Sequence, residues 1–290
     1  MNWRIFKDSC RTDPQSAYFA MRKVVVFSLL FCFGGMIETF SPSLSAQSPT
    51  ARLVHLQHEI SPRLQRKFRR DAARLVLRTE SLKEDLRYHS ILIPSQRSDL
   101  FFSILSSLYL NEETARSIAR CNVHTFPNPS IDHFVLIYDR NAVWADLLRD
   151  GITETTHPRM LELMDDYDLV IDKHVRWNDQ QDAITIRSTE LLNMAALANE
   201  FYNIEGVDNI DFGLPKVSGN DIQIRRIEGG WEVEYILRFG SYINGEGSSH
   251  HWVFQYLDSG KTQFVNESGD AVPEWMRCRQ ADQSPGVNRL

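Results

Sequence analysis

Four residues of the chain have the types and positions that acid–base chemistry requires. His250 and His251 are adjacent, and Asp172 stands two residues before His174. An imidazole next to a carboxylate can serve as a general base, because the carboxylate sets the tautomer and the charge of the ring. Charge pairs on an open, solvated sheet face give the same pattern. These four residues are the catalytic candidates, and both interpretations stay open.

Neither a metal site nor a cofactor site is predicted. Adjacent side chains on a strand point to opposite faces, so His250 and His251 cannot easily chelate one ion. The chain lacks the motifs Gly-x-Ser-x-Gly and His-Glu-x-x-His and a phosphate-binding glycine loop. The run from Gly245 to Ser249 leads from one predicted strand into another, which favours a hairpin loop over a phosphate site.

A secretory signal peptide is predicted at residues 21–46. It has the required order of basic residues, the apolar run Val24–Ile37 and a small-residue cleavage site ending at Ala46. Residues 1–20 carry no targeting pattern and are interpreted as a mis-assigned upstream extension. The apolar run is shorter than the roughly 20 residues of a spanning helix, but anchoring by residues 24–37 is the alternative. The mature protein is therefore expected to be secreted or periplasmic.

Charge and cysteine content narrow the classes of partner. The full chain has a net charge of −6 with dispersed acidic residues, which does not favour nucleic-acid binding. No stretch after the signal is apolar enough to span a membrane. Cys121 and Cys278 remain in the mature chain. They can pair in an oxidising compartment or stay as thiols, and without C-x-x-C spacing they predict no metal site.

A basic amphipathic helix is predicted to begin at Ser61-Pro62, an N-cap residue followed by proline. Its core face recurs at helical spacing, and its other face is rich in arginine. Such a face can bind a membrane surface or an anionic polymer, or it can be solvated or pair with acidic residues elsewhere in the chain. The core positions are Leu64, Phe68, Ala72 and Leu75.

The order of elements from His133 to Phe212 is strand, helix, strand, strand, helix, strand, which predicts a ferredoxin-like βαββαβ unit. Alternating apolar residues after Pro215 predict an antiparallel β-meander. The expected fold class is α+β with an N-terminal helical region. The predicted organisation is a helical region at 47–130, the ferredoxin-like unit at 131–214, the meander at 219–276 and a polar tail at 277–290.

Three details of this pattern bear on the candidates. Leu169, Ile171, Val175 and Trp177 are expected on one face of a strand, with Asp172, His174 and Arg176 on the other. Ser188 is expected to cap a helix that runs to Tyr202. The residues from Gly240 to Ser249 are expected to form a loop before a strand that starts at His250.

Three segments resemble a family of uncharacterised secreted proteins of the Bacteroidota: Asn122–Ser130 (NVHTFPNPS), Leu191–Phe201 (LLNMAALANEF) and His250–Phe254 (HHWVF). The resemblance covers most of the mature chain and implies export. Family members carry cysteines in the loop before the His-Trp strand, and this chain has none there. Residues 195–212 also resemble the last helix and strand of subtilase propeptides, which are ferredoxin-like and bind their protease. No subtilase catalytic motif follows.

These observations lead to three functional hypotheses. The lack of a convergent nucleophile, base and stabilising group favours a non-catalytic exported module that binds or scaffolds another extracytoplasmic protein. The propeptide resemblance implies a stand-alone protease inhibitor or chaperone. A hydrolase that pairs His250 or His251 with Asp172 or His174 is the third hypothesis.

Overall fold

A computed structural model describes residues 59–80, 90–215, 219–241, 246–272 and 274. These residues belong to one compact unit. The predicted signal peptide lies outside the described residues, so cleavage and export stay predictions. In the described ranges, no helix is both long enough and apolar enough to cross a membrane.

The N-terminal region is helical, as predicted. It contains α1 (Pro62–Glu80), α2 (Ser95–Asn111) and α3 (Glu113–Arg120). The first helix begins where the sequence indicates: the Leu64 N–H donates to the Ser61 hydroxyl at 3.4 Å, and proline has no N–H to satisfy. Cys121, which directly follows α3, is disulfide-bonded. Cys278 lies outside the described residues, so its pairing with Cys121 stays a prediction.

The ferredoxin-like unit has the predicted topology. Its strand order is β2-β3-β1-β4, and each neighbouring pair is antiparallel. Helices cover one face of this sheet and bury Phe134, Leu136 and Ile184 completely. The elements are β1 (His133–Asp139), a 3-10 turn (Val143–Ala145), α4 (Asp146–Arg149), α5 (Pro158–Asp166), β2 (Leu169–Arg176), β3 (Gln181–Ser188), α6 (Met194–Phe201) and β4 (Val207–Asp211).

The last helix of this unit starts later than predicted. Ser188 does not cap it, because the Ser188 N–H donates to Asp132 C=O and the residue stays in β3. The Asn193 N–H then donates to Ile91 C=O at 2.8 Å, and Leu92 and Leu192 form an isolated β-bridge. Asn193 is the actual N-cap, with its side chain accepting from the Ala196 N–H. Tertiary pairing of this segment therefore overrides the local capping signal.

The second sheet is the predicted meander, with order β5-β6-β7-β8. One of its faces packs against α1, α2 and α3 in a shared hydrophobic core. The Phe101 ring meets Trp231 edge-on at 5.2 Å within this core. The strands are β5 (Asp221–Ile227), β6 (Gly230–Ser241), β7 (Glu246–Leu257) and β8 (Thr262–Gly269).

Within the predicted loop Gly240–Ser249, the described residues 240–241 and 246–249 are strand. The β6–β7 ladder continues from Leu237↔His250 to Ser241↔Glu246, so β7 starts four residues before His250. Glycine and serine have low strand propensity, but pairing with a neighbouring strand overrides that preference. The correction places the side chain of Ser249 on a defined face of the sheet.

Candidate functional site

The strands β6 and β7 place His250 and His251 on opposite faces of the meander, as strand alternation predicts. His250 shares the helix-covered face with Trp252, whose ring lies 4.4 Å away. Its Nδ1 is 2.7 Å from Asp270 C=O, which accepts the ring proton. Glu267 Oε2 is 3.7 Å from Nε2, beyond hydrogen-bond range. The contact with the Trp252 ring and the hydrogen bond to Asp270 C=O therefore fix the position of the His250 side chain.

The His251 side chain lies on the outer face between a glutamate and a serine. Its Nδ1 is 2.7 Å from Glu234 Oε1, and its Nε2 is 3.0 Å from Ser249 Oγ. Ser249 and His251 are alternate residues of β7 and share a face, whereas Glu234 lies diagonally across on β6. The side chains of His251 and Glu234 are 28% and 33% exposed, so solvent and small molecules can reach them.

Sequence reasoning found His251 but missed its two partners. Ser249 was assigned to a loop, and Glu234 lies in a strand whose alternate residues form the core. The relevant sequence signal is period two: Ser249 and His251 on one strand share a face with the even-numbered polar residues of β6. Which glutamate meets which histidine depends on the register between β6 and β7.

The structure separates the two other catalytic candidates from each other. A β-bulge between Ile171 and Lys173 shifts the register of β2 on β3. Because a bulge adds one residue, the alternation reverses after it. Asp172 pairs with Arg187 at 3.0 Å, while His174 lies opposite Ile184 on the helix-covered face. The predicted shared face of Asp172 and His174 is therefore wrong.

The same bulge changes which apolar side chains of β2 are buried. Val175 lies opposite Ala183, on the face away from Ile171, and Trp177 is 53% exposed. Both were expected on the same strand face as Leu169 and Ile171. Because the alternation holds only up to the bulge, Leu169 and Ile171 are buried as predicted.

His174 belongs instead to a buried polar cluster with Asp182 and Tyr138. His174 Nε2 is 3.3 Å from Asp182 Oδ2, at an angle that does not form a hydrogen bond. Asp182 is only 2% exposed, and Tyr138 is fully buried opposite it on β1. Burial, and then the charge of Asp182, raise the pKa of the Tyr138 hydroxyl. The structure does not bring this cluster into contact with the Glu234–His251–Ser249 group.

A second buried polar network joins α1 to the segment that follows α3. Asp71 is 1% exposed, and its carboxylate accepts from Thr125 N–H at 2.9 Å and Thr125 Oγ1 at 2.7 Å. Its other oxygen lies 2.6 Å from His124 Nδ1. Asp71 is three residues after Phe68 and four before Leu75, so helical spacing already places it on the core face. The sequence interpretation overlooked it.

The charge of Asp71 influences two buried neighbours. Burial lowers the pKa of the Arg74 guanidinium, and the nearby Arg70 lowers it further, while Asp71 acts in the opposite direction. Burial, and then the carboxylate of Asp71, raise the pKa of Tyr235. Asp71 is therefore the counter-charge of a buried arginine at the junction between α1 and the meander.

The basic face of α1 is engaged largely by acidic residues of this chain. Arg69 pairs with Asp99, Arg70 binds Asp132 at 2.8 Å, and Arg78 binds Asp221 at 2.8 Å. Arg78 also donates to backbone carbonyls of Phe126 and Asn128. These contacts favour internal pairing over the binding of a membrane surface or an anionic polymer.

Asp132 gives this pairing a measurable pH dependence. Burial raises its pKa, but hydrogen bonds from His133 and Arg70 outweigh that effect and hold the pKa below the ordinary 3.8. A lowered native pKa stabilises the fold above the unfolded pKa and loses that contribution as the pH falls through the native pKa. We expect Asp132→Asn to lower the free energy of unfolding by about 1–3 kcal/mol at pH 7.

The loss of unfolding free energy caused by Asp132→Asn should become smaller below about pH 4. At that pH Asp132 is protonated in the unfolded chain and increasingly also in the native protein. Urea unfolding at pH 7 and at pH 3 measures the difference in unfolding free energy between the variant and the unmodified protein. Asp99→Asn, which removes a half-exposed partner of Arg69, should change stability by less than about 1 kcal/mol at either pH. A deficit that is independent of pH would contradict this account.

An open cavity of about 650 Å³ lies between the start of α2 and the end of α5. Asp165 and Asp166 line it and are exposed. Its remaining lining includes Asp168, Glu190 and Leu92. A negatively charged, solvated lining of this kind shows no convergent catalytic group.

Within the part of the chain that the structure describes, no three His, Cys, Asp or Glu residues are grouped so that they could hold a metal ion. Comparison of the chain with protein-family models, curated proteins and solved structures finds no match. The resemblances to secreted Bacteroidota proteins and to subtilase propeptides therefore stay predictions.

Proposed function

We propose that the protein is an exported binding module and that it binds another extracytoplasmic protein at one end of its ferredoxin-like unit. The observation that carries this proposal is Trp177, which follows β2 and is 53% exposed. Tryptophan buries a large area on binding and is enriched among the residues that dominate interface energies. An exposed indole on a rigid turn is therefore a suitable anchor for a protein partner.

The turn that carries Trp177 is held by several hydrogen bonds. The Trp177 N–H and the Asn178 N–H both donate to Gln181 C=O at 3.0 Å. The Asn178 side-chain oxygen accepts from the N–H groups of Gln180 and Gln181 at 2.8 Å. This pre-organisation supports binding, because little conformational freedom remains to be lost on association.

A second apolar side chain lies at the same end of the sheet. β1 and β2 are both antiparallel to β3, so their C-terminal ends coincide. Val143 follows β1 and is 81% exposed. The Arg140 N–H donates to Gln180 C=O at 2.9 Å, which joins the loop before Val143 to the turn after Trp177. We call Val143 and Trp177 the hairpin-end patch.

The disulfide at Cys121 supports the extracytoplasmic part of the proposal. Disulfide bonds persist in oxidising compartments and are rare in the cytosol. The predicted signal peptide points to the same location.

The inhibitor hypothesis has weaker support. The strand that corresponds to the end of a subtilase propeptide is β4, and the chain continues from it into β5. An inhibitor of that type places a free extended tail in the protease cleft, and β4 has no such free end. The likeness would be one of fold, which does not establish function.

The binding proposal predicts that Trp177→Ala together with Val143→Asp abolishes capture of the partner. Cross-linking and capture from the native envelope fraction, quantified by mass spectrometry, should show at least about a 10-fold loss relative to the unmodified protein. Both side chains are exposed, so the fold should be retained, and circular dichroism checks this. Leu161→Ala removes an apolar side chain of similar exposure, 48%, from α5 and is the matched control.

Equal capture by the double variant and the unmodified protein would overturn the proposed surface. Capture lost equally with Leu161→Ala would show that the effect does not depend on the hairpin-end patch. Inhibition of a secreted subtilase at micromolar concentration, tested in parallel, would favour the inhibitor hypothesis instead.

A further inference from the structure

We infer that Ser249 is a nucleophile, activated by His251 and positioned by Glu234, that accepts acyl groups from carboxylic esters. The three side chains form a continuous chain of hydrogen bonds on the outer face of the meander. This inference goes beyond the proposed binding function, because it concerns a different face of the molecule and a covalent reaction. It also differs from the expectation of a protein without a catalytic group.

The direction of each hydrogen bond follows from the chemistry of the groups. An ionised carboxylate only accepts, so Nδ1 of His251 must carry the proton that Glu234 Oε1 receives at 2.7 Å. In the neutral imidazole, Nε2 is then unprotonated and accepts from the Ser249 hydroxyl at 3.0 Å. The general base therefore faces the nucleophile with its lone pair, which is the arrangement that serine acyl transfer requires.

The sheet holds these groups in place. Ser249 and His251 lie on β7, an inner strand paired with β6 on one side and β8 on the other. The Asp270 N–H donates to Ser249 C=O at 2.8 Å, and the Ser249 N–H donates to Asp270 Oδ2 at 3.2 Å. Backbone pairing on both sides limits the motion of the serine and preserves its distance to the imidazole.

The β6–β7 register places one basic residue on the same face of the sheet as the serine. Arg238 lies directly opposite Ser249 in the β6–β7 register, so both side chains are on the outer face. One of its terminal nitrogens donates to Gly219 C=O at 2.6 Å. Because the register places Arg238 across from Ser249, its remaining N–H donors are the candidates on this face for stabilising the negative oxygen that forms when Ser249 attacks a carbonyl.

The reaction balances without a cofactor. Ser249 Oγ bonds to the ester carbonyl carbon while its proton passes to His251 Nε2. The bond from carbon to the leaving oxygen then breaks, and the departing alkoxide takes that proton to leave as the alcohol. Water attacks the acyl-serine with His251 as base, the carboxylic acid departs, and the proton returns to Ser249. The sum is ester plus water giving acid plus alcohol.

The test uses the full chain with p-nitrophenyl acetate. We expect a burst of p-nitrophenol equal to the protein concentration, with one acetyl group on Ser249 by peptide mass spectrometry. Ser249→Ala should abolish the burst. His251→Ala should slow acylation by about 100-fold or more, the contribution typical of a general base. Ser268→Ala removes another outer-face serine, opposite His251 on β8, and should change nothing.

Glu234→Gln tests the positioning role of the carboxylate. Acylation should slow, and its pH profile should change, because glutamine cannot stabilise the imidazolium that forms in the reaction.

Three results would overturn the inference: no acetylation of Ser249 in folded protein, acetylation unaffected by His251→Ala, or an equal effect of Ser268→Ala and Ser249→Ala. If His251→Ala fails to fold, the comparison of Ser249→Ala with Ser268→Ala still decides, because neither serine contributes to the apolar core. Loss of partner capture in the hairpin-end variants should leave acylation unchanged, so the two proposals fail independently.

Discussion

Replacing Asp71 by alanine is expected to lower the free energy of unfolding by about 3–5 kcal/mol. Asp71 is 1% exposed and accepts hydrogen bonds from the backbone and side chain of Thr125. Its removal leaves those donors buried without a partner, at about 1–3 kcal/mol for each unsatisfied group. It also removes the counter-charge of Arg74, which is 8% exposed. Few surface substitutions approach this effect.

Urea unfolding followed by tryptophan fluorescence measures this prediction. Asp71→Asn keeps one accepting oxygen and the shape of the side chain, so it should be less destabilising than Asp71→Ala. Asp99→Ala removes a half-exposed partner of Arg69 on the same helix and should cost less than about 1 kcal/mol. A loss below 1 kcal/mol for Asp71→Ala would contradict the buried network.

Replacing His174 by leucine is expected to destabilise the protein by about 3 kcal/mol, because the buried carboxylate of Asp182 loses the imidazole nitrogen that lies 3.3 Å away. Asp182 is 2% exposed and lies next to the fully buried Tyr138. The double variant His174→Leu with Asp182→Leu should recover most of this loss. Replacing both members of a buried polar pair by apolar residues of similar size is often nearly neutral or stabilising.

The sign of the double-variant effect distinguishes this mechanism from simple loss of packing. If packing alone were lost, the double variant would be less stable than either single variant. Thermal unfolding by calorimetry, interpreted as a double-mutant cycle, measures the coupling between the two residues. Asp172→Ala, at the half-exposed pair with Arg187, is the control and should change stability by less than about 1 kcal/mol.

The features that were predicted correctly follow from the residue pattern within a single segment. The order of strands and helices from His133 to Phe212 indicates the ferredoxin-like unit, and the sheet order β2-β3-β1-β4 confirms it. Helical spacing predicted the buried face of α1 through Phe68, Ala72 and Leu75. Alternation on β7 predicted that His250 and His251 point to opposite faces. Each of these inferences depends on the period of one segment.

Bulges and non-local pairing caused the errors. One extra residue in β2 reversed the alternation after Ile171, which moved His174 to the covered face and left Trp177 exposed. Pairing of Asn193 with Ile91 delayed the start of α6. A bulge adds a residue without a compositional signal, and a contact between distant segments has no signature in either segment alone.

The sequence by itself determined the fold class, the ferredoxin-like order and the meander, because hydrophobic periodicity specifies which face of each element is buried. Only the tertiary structure decided that the N-terminal helices share their core with the meander rather than forming a separate region. It also decided that Glu234 meets His251 and Ser249. The residue period of a segment indicates which of its faces is buried, but it does not indicate which other element packs against that face. That element is determined by strand register and by packing between segments that are distant in the sequence.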